Sequence, residues 1–184
     1  MTFIRGSINL GIRELIKQAV IEAGFYRYED TSDLTDIKLL RYVSSAGKEE
    51  WFDFLIKNGD FFDQKGRIRK EFAGQFDECI IFAVSGGHVS VARKLYTLGA
   101  RIKYYLTDRL ILAIMNNRHE LAELCFEMGA KLRVKYQFIE CLKIADDKMV
   151  SIIEKHRENV VFMLINDSPK VVTELLEKRK KRKK

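Results

Sequence analysis

Apolar residues recur in pairs four apart, in three segments that each close on a glycine. Trp51/Phe52 and Leu55/Ile56 precede Gly59. Val91/Ala92 and Leu95/Tyr96 precede Gly99. Leu121/Ala122 and Cys125/Phe126 precede Gly129, with Leu124 adding to the last. Pairs at i, i+1, i+4 and i+5 form one buried face of an amphipathic helix. Glycine suits the left-handed residue that stops a helix, so each segment is predicted to be a helix ending at its glycine. Trp51 falls in a buried slot of this alignment and is expected in the core. Upstream of each segment lies a second apolar run: Leu39–Ser44, Ile80–Val84 and Leu110–Ile114. A polar turn joins the two runs every time: Ser45-Ala46-Gly47, Ser85-Gly86-Gly87 and Met115-Asn116-Asn117. The predicted unit is therefore helix, tight turn, helix, glycine stop, connecting loop.

The pattern continues outward with less regularity. Ile12–Ala23 has helical period and ends at Gly24. Phe138–Ile144 and Met149–Ile153 make another helix pair, with its register open. Ser168 before Pro169 reads as an N-cap followed by proline at the first helical position. Val171, Val172, Leu175 and Leu176 then repeat the stripe, after the short run Val160–Ile165. Together these give roughly five to six helix pairs, in the period range of helical repeat arrays.

Composition narrows the classes. The 184 residues are 47% hydrophobic and 32% charged, with one proline, which excludes disordered, collagenous and Pro-rich readings. The longest stretch free of Asp, Glu, Lys and Arg is Cys79–Ala92, 14 residues, too short for a membrane span. Arg5, Arg13, Glu14 and Lys17 interrupt the N-terminal stretch, so no signal peptide is expected. Cys79, Cys125 and Cys141 sit in apolar surroundings, so buried thiols in a reducing, cytoplasmic compartment are expected. Net charge is +7, from 33 Lys and Arg against 26 Asp and Glu. The last seven residues, Lys178, Arg179, Lys180, Lys181, Arg182, Lys183 and Lys184, are all basic, so the body without them is neutral.

Gly87, His88, Val91, Ala92, Leu95, Tyr96, Gly99 and Ala100 fill the slots of the second-helix pattern G-H-x-x-V-V-x-x-L-L-x-x-G-A, most of them outright. Ala83 and Val84 supply the preceding small-residue pair. On these residues the chain resembles the ankyrin repeat family, best over about residues 36–135, with Asn117–Ala130 and Gly47–Asp60 as looser matches. Such degenerate repeats are similar to those of large DNA viruses and some intracellular bacteria. The family's T-P-L-H start is absent; Glu78, Cys79, Ile80 and Ile81 stand there in the best unit. Gly59 to Gly99 spans 40 residues and Gly99 to Gly129 spans 30, the latter short of the family's 33, so a shortened inter-repeat loop is expected. The resemblance implies an all-α, ankyrin-like helix-turn-helix solenoid over residues 1–177, with an N-terminal cap at about 7–35, the best repeats at about 36–135, degenerate repeats at about 136–177 and a basic tail at 178–184. It also implies a concave surface of loops and first helices, and a structural role for His88 at the inter-helix turn.

Function is expected in the loops. Phe61, Phe62, Lys65, Arg67, Arg69 and Lys70 follow Gly59; Arg101, Lys103, Tyr104 and Tyr105 follow Gly99; Lys131, Arg133, Lys135 and Tyr136 follow Gly129. The second helices carry acids instead: Glu49, Glu50, Asp53, Glu120, Glu123 and Glu127. In a solenoid the loops would align into a basic, aromatic ridge that recognises an acidic protein partner. The alternative is solvated loop chemistry, with Ile102, Leu132 and Val134 packed inward. The tail reads as a phosphate-binding run, a nuclear-import signal or a solvated helix end. No P-loop, dinucleotide fingerprint, G-x-S-x-G elbow or H-E-x-x-H pair is present. His119 and Cys125 are poorly spaced as ligands and His156 has no nearby cysteine. No catalytic residue, metal or cofactor is therefore assigned. The expected activity is non-catalytic protein binding as an adaptor or inhibitor, with nucleic-acid binding through tail and loops as the alternative.

Overall fold

Helices of nine to fourteen residues need tertiary partners to persist in water, and the apolar stripes supply them. The computed structural model describes residues 2–26, 33–102, 105–134, 142 and 144–162. The chain forms two compact units, Met1–Ile102 and Lys103–Lys184, and each is described by itself. The described residues are overwhelmingly helical, the fold class expected from the stripes.

In the first unit, α1 (Thr2–Glu22) begins well before the stripe that predicts it, and buries Ile16 and Val20. It packs on α2 (Asp36–Ala46) and α3 (Glu49–Asn58), while α2 also packs on α4 (Ala73–Gly86). α5 (Val89–Leu98) packs on α3 and α4. The inner pairs are Phe52 with Leu55 and Ala92 with Leu95, all essentially without exposure. Trp51 is only half-buried, contrary to expectation, because the burial centres on Phe52 beside it. The first helices outrun their apolar runs mainly at the N-terminal end, where α2 starts at Asp36 and α4 at Ala73: Leu39, Leu40, Val43 and Ser44 are the buried face of α2, and Phe76, Cys79, Ile80, Ala83 and Val84 that of α4.

In the second unit, α6 (Leu106–Met115) pairs with α7 (His119–Glu127), and α7 packs on α8 (Asp147–Lys155). Leu142 and Ile144 are helical, inside the predicted Phe138–Ile144 segment. One departure corrects the helical forecast. The short run Val160–Ile165, expected to lead a further helix pair, instead opens with a strand: Val160–Phe162 (β2) pairs parallel with Leu132–Val134 (β1), with Leu132 opposite Val160. A 3-10 turn at Arg157–Asn159 leads into it. The β-branched Val160 and Val161 with Phe162 favour a pleated pairing, and the connection through α8 is long enough for a parallel one. The stripe at Val171–Leu176, Pro169 and the tail 178–184 lie outside the described residues.

The glycine stops divide into two kinds. Gly129 has φ +89° and open space where a Cβ would stand, so its glycine answers to backbone conformation. Gly59 was expected to be left-handed, but has φ −84° and ψ 151°. A Cβ there would stand 2.3 Å from the Phe61 ring and 2.8 Å from the Leu55 carbonyl oxygen. Its glycine answers to Phe61 packing over the end of α3. We expect Gly129→Ala to cost about 1 kcal/mol through strain, largely restored in Gly129→Asn because asparagine tolerates that region. Gly59→Asn should bring no such relief over Gly59→Ala. Urea melts of the four variants check this; equal behaviour of the two asparagine variants would refute the distinction.

Candidate functional site

The loop after α3 folds into a small β-hairpin. Phe62 and Ile68 form an antiparallel bridge, and Arg69 N–H donates to the Phe61 carbonyl at 2.9 Å. Asp63 organises the tip. Its Oδ1 accepts from the N–H groups of Lys65 (2.8 Å) and Arg67 (3.0 Å), and its Oδ2 accepts from Arg67 Nε (3.0 Å) and Nη2 (2.8 Å). The Arg67 backbone bond first, then its guanidinium, holds the Asp63 carboxyl below the ordinary carboxylate range. The sequence Asp63-Gln64-Lys65-Gly66 is a turn signature, and it is the signal by which this tip could have been read in advance.

The residues expected to contact a partner scatter among roles. Phe61 is 2% exposed and belongs to the core: its ring meets Phe62, Phe72 and Phe76 edge to face at 5.5–6.4 Å. The next helix supplies that cover, so a loop aromatic became an interior one. Phe62 is half-buried against Phe76. Arg67 is exposed but forked on Asp63, and Arg69 pairs with Asp60 while donating to the Phe62 carbonyl at 3.1 Å. The hairpin is thus less basic than its Lys and Arg count implies. Arg101 caps α5: its Nη1 donates to the carbonyls of Tyr96 (2.9 Å) and Ala100 (2.8 Å), and its guanidinium lies 4.6 Å from the Tyr96 ring centre. Cation at a helix C-terminus and over an aromatic face is a stabilising placement. Lys131 is exposed. Tyr105 is also exposed and holds φ +65° at the start of α6. Lys103, Tyr104, Lys135, Tyr136, the Arg133 side chain and the seven tail residues lie outside the described residues.

The acids expected on the second helices are partly neutralised within each unit. Lys94 Nζ on α5 meets Glu49 at 2.8 Å and Asp53 at 2.6 Å on α3, and Lys155 on α8 pairs with Glu123 on α7. The bond from Lys94 lowers the Glu49 pKa.

Turns bind to turns in both units. The His88 ring sits between Gly47 and Gly86, where added Cβ atoms would stand 2.2 and 2.5 Å from it. His88 Nε2 lies 2.9 Å from the Ser45 carbonyl. A carbonyl only accepts, so Nε2 carries the proton. The expected structural role of this histidine has a concrete form: it joins the turn after α4 to the turn after α2. In the second unit Asp146 does the joining. Its N–H donates to Asn117 Oδ1 at 2.8 Å, its carboxylate receives His119 Nε2 at 2.8–2.9 Å, and Oδ1 accepts from Met149 N–H at 2.7 Å, capping α8. The sequence reading missed Asp146, although aspartate before the Met149–Ile153 run is an N-cap signal.

Burial pushes the Cys79 and Cys125 thiols up to about 12, which leaves them protonated and unreactive at neutral pH. Cys141 lies outside the described residues. Among the described residues no three His, Cys, Asp or Glu side chains gather to hold a metal ion, and no helix is long and apolar enough to cross a membrane.

Comparisons with protein-family models, curated proteins and solved structures give no match to this chain.

The Met149 N–H, then His119, hold the Asp146 carboxyl below its ordinary range. A carboxyl lowered on folding stabilises above its unfolded pKa of about 3.9, and that contribution disappears as pH falls through the folded value. Asp146→Asn keeps a capping oxygen but does not titrate. Thermal melts from pH 7 down to about 3 should show a lower Tm than the parent at neutral pH and a gap that closes toward acid. A gap of constant size would remove Asp146 from the acid response.

Proposed function

We propose that this chain is a non-catalytic protein-binding module, an adaptor or inhibitor built from degenerate ankyrin-like repeats. It binds an acidic surface of its partner through exposed basic and aromatic loop residues. The observation that carries the reading is Tyr105. It is an exposed tyrosine at φ +65° in the position where a helix ordinarily takes Ser, Thr, Asp or Asn. Bulky side chains rarely hold that conformation, and such strain gathers at functional sites. Tyrosine is also an efficient anchor, because it carries much contact area at low entropic cost. Repeats whose turns are tied together give that anchor a fixed setting, which lowers the ordering cost of binding.

A second reading rests on the basic run at residues 178–184, which suits a nucleic-acid backbone. One experiment separates the two. The tagged protein is used to capture partners from native extract with and without nuclease. We expect a stoichiometric protein that survives nuclease, with capture reduced about tenfold by Tyr105→Ala and several-fold by Lys131→Glu. Helicity and Tm should stay near the parent's, since both side chains are exposed. Loss of every partner on nuclease treatment, together with loss on deleting residues 178–184, would replace protein binding with nucleic-acid binding.

A further inference from the structure

Asn58 is followed by Gly59, and no other asparagine of the chain precedes a glycine. With no side chain on the second residue, nothing shields its main-chain nitrogen, and asparagine carries the carbonyl that such a nitrogen can attack. A larger residue at 59 would slow that attack, but the packing excludes one. The backbone of Gly59, with φ −84° and ψ 151°, is open to any residue. A Cβ there would nevertheless stand 2.3 Å from the Phe61 ring and 2.8 Å from the Leu55 carbonyl oxygen. A buried phenylalanine thus keeps glycine behind an exposed asparagine.

The end of α3 holds the reaction back. The Gly59 N–H donates to the Leu55 carbonyl at 2.8 Å, and Asn58 Nδ2 donates to the Phe54 carbonyl at 2.7 Å. Arg13 Nη2 on α1 lies 3.5 Å from the Asn58 carbonyl oxygen. Nucleophile, leaving amide and the carbonyl between them are therefore all engaged while the last turn is closed. Helix ends open locally at small cost, and opening here frees all three.

The chemistry needs only water. The Gly59 nitrogen, its proton lost to solvent base, forms a bond to Asn58 Cγ. The Cγ–Nδ2 bond breaks, and ammonia leaves with a proton from water. Water then opens the five-membered imide. Cleavage between nitrogen and Cγ gives aspartate. Cleavage between nitrogen and the Asn58 main-chain carbonyl carbon gives isoaspartate, whose main chain runs through Cβ and Cγ and is one carbon longer. Gly59 then has to move, and the Phe61 ring and the Leu55 carbonyl leave it no room.

We propose that Asn58 is a site of spontaneous deamidation in the folded protein, gated by the last turn of α3, and that the isoaspartyl product lifts Phe61 from its seat against Phe72 and Phe76. The site requires no partner, so it is independent of the protein-binding reading. The test incubates the full chain in warm, mildly alkaline buffer, folded and in guanidinium chloride. Peptide mapping by mass spectrometry follows acid replacing amide at each asparagine, and an isoaspartyl-specific methyltransferase separates the two products. Conversion at Asn58 should run ahead of Asn116 and Asn117, and about tenfold slower folded than unfolded. Phe61→Leu should speed it several-fold in the folded chain and leave the unfolded rate unchanged. Isoaspartyl protein, isolated by ion exchange, should melt several degrees below the parent, whereas Asn58→Asp and Asn58→Gln should stay near it. Earlier conversion at Asn116 or Asn117 in the folded chain removes the site. Equal folded and unfolded rates remove the gate. An isoaspartyl product that melts with the parent removes the effect on Phe61. If Phe61→Leu does not fold, hydrogen exchange at the Gly59 amide of the parent measures the same opening, and a protection that departs from the folded-to-unfolded rate ratio overturns the gate.

Discussion

No helix from α2 to α8 is long enough to be stable alone, and everything else in this protein follows from that shortage. Each second helix turns apolar positions inward, among them Phe52 and Leu55, Ala92 and Leu95, or Ala122 and Cys125, and all six are buried. The area these remove from water is what offsets the ordering of the chain. The remaining requirement is alignment, because a short amphipathic helix has little length over which to find its register. The turns provide it. His88 on the Ser45 carbonyl, and Asp146 on Asn117 and His119, fix one helix pair against the next at the point where the chain reverses.

Charge follows the same logic at the surface. Lys94 reaches Glu49 and Asp53, and Lys155 reaches Glu123, each joining second helices within one unit. These pairs are exposed, so each contributes little by itself. Their effect on recognition is larger than on stability. They remove much of the two-faced charge pattern that the bare sequence presents, as Asp60 and Asp63 do for Arg69 and Arg67 in the hairpin.

Second helices were legible in the sequence because their stripe has a period that only a helix satisfies. First helices were visible only as short apolar runs, since α2 and α4 begin with residues such as Asp36, Ala73 and Gly74 that carry no hydrophobic signal. The strand pair was not legible. A short apolar run such as Val160–Ile165 has no period to separate strand from helix, and its partner at Leu132 is distant in sequence. At the candidate site, Tyr105 and Lys131 sit on the surface as expected, whereas Phe61 is interior because Phe72 and Phe76 close over it. Leu112 lies inside the apolar run Leu110–Ile114 yet is 46% exposed, because α6 turns Leu110, Ala113 and Ile114 inward and a continuous run covers more than one helix face.

The manner in which His88 grips its neighbour also bears on how such a sequence can drift. The imidazole touches a main-chain oxygen at Ser45 and two bare Cα positions, at Gly47 and Gly86. None of these is a feature of a neighbouring side chain. Residues 45 and 46 can therefore be replaced with the joint intact, provided the glycines stay. The joint therefore constrains the backbone and the two glycines while leaving the side chains of that turn free to vary.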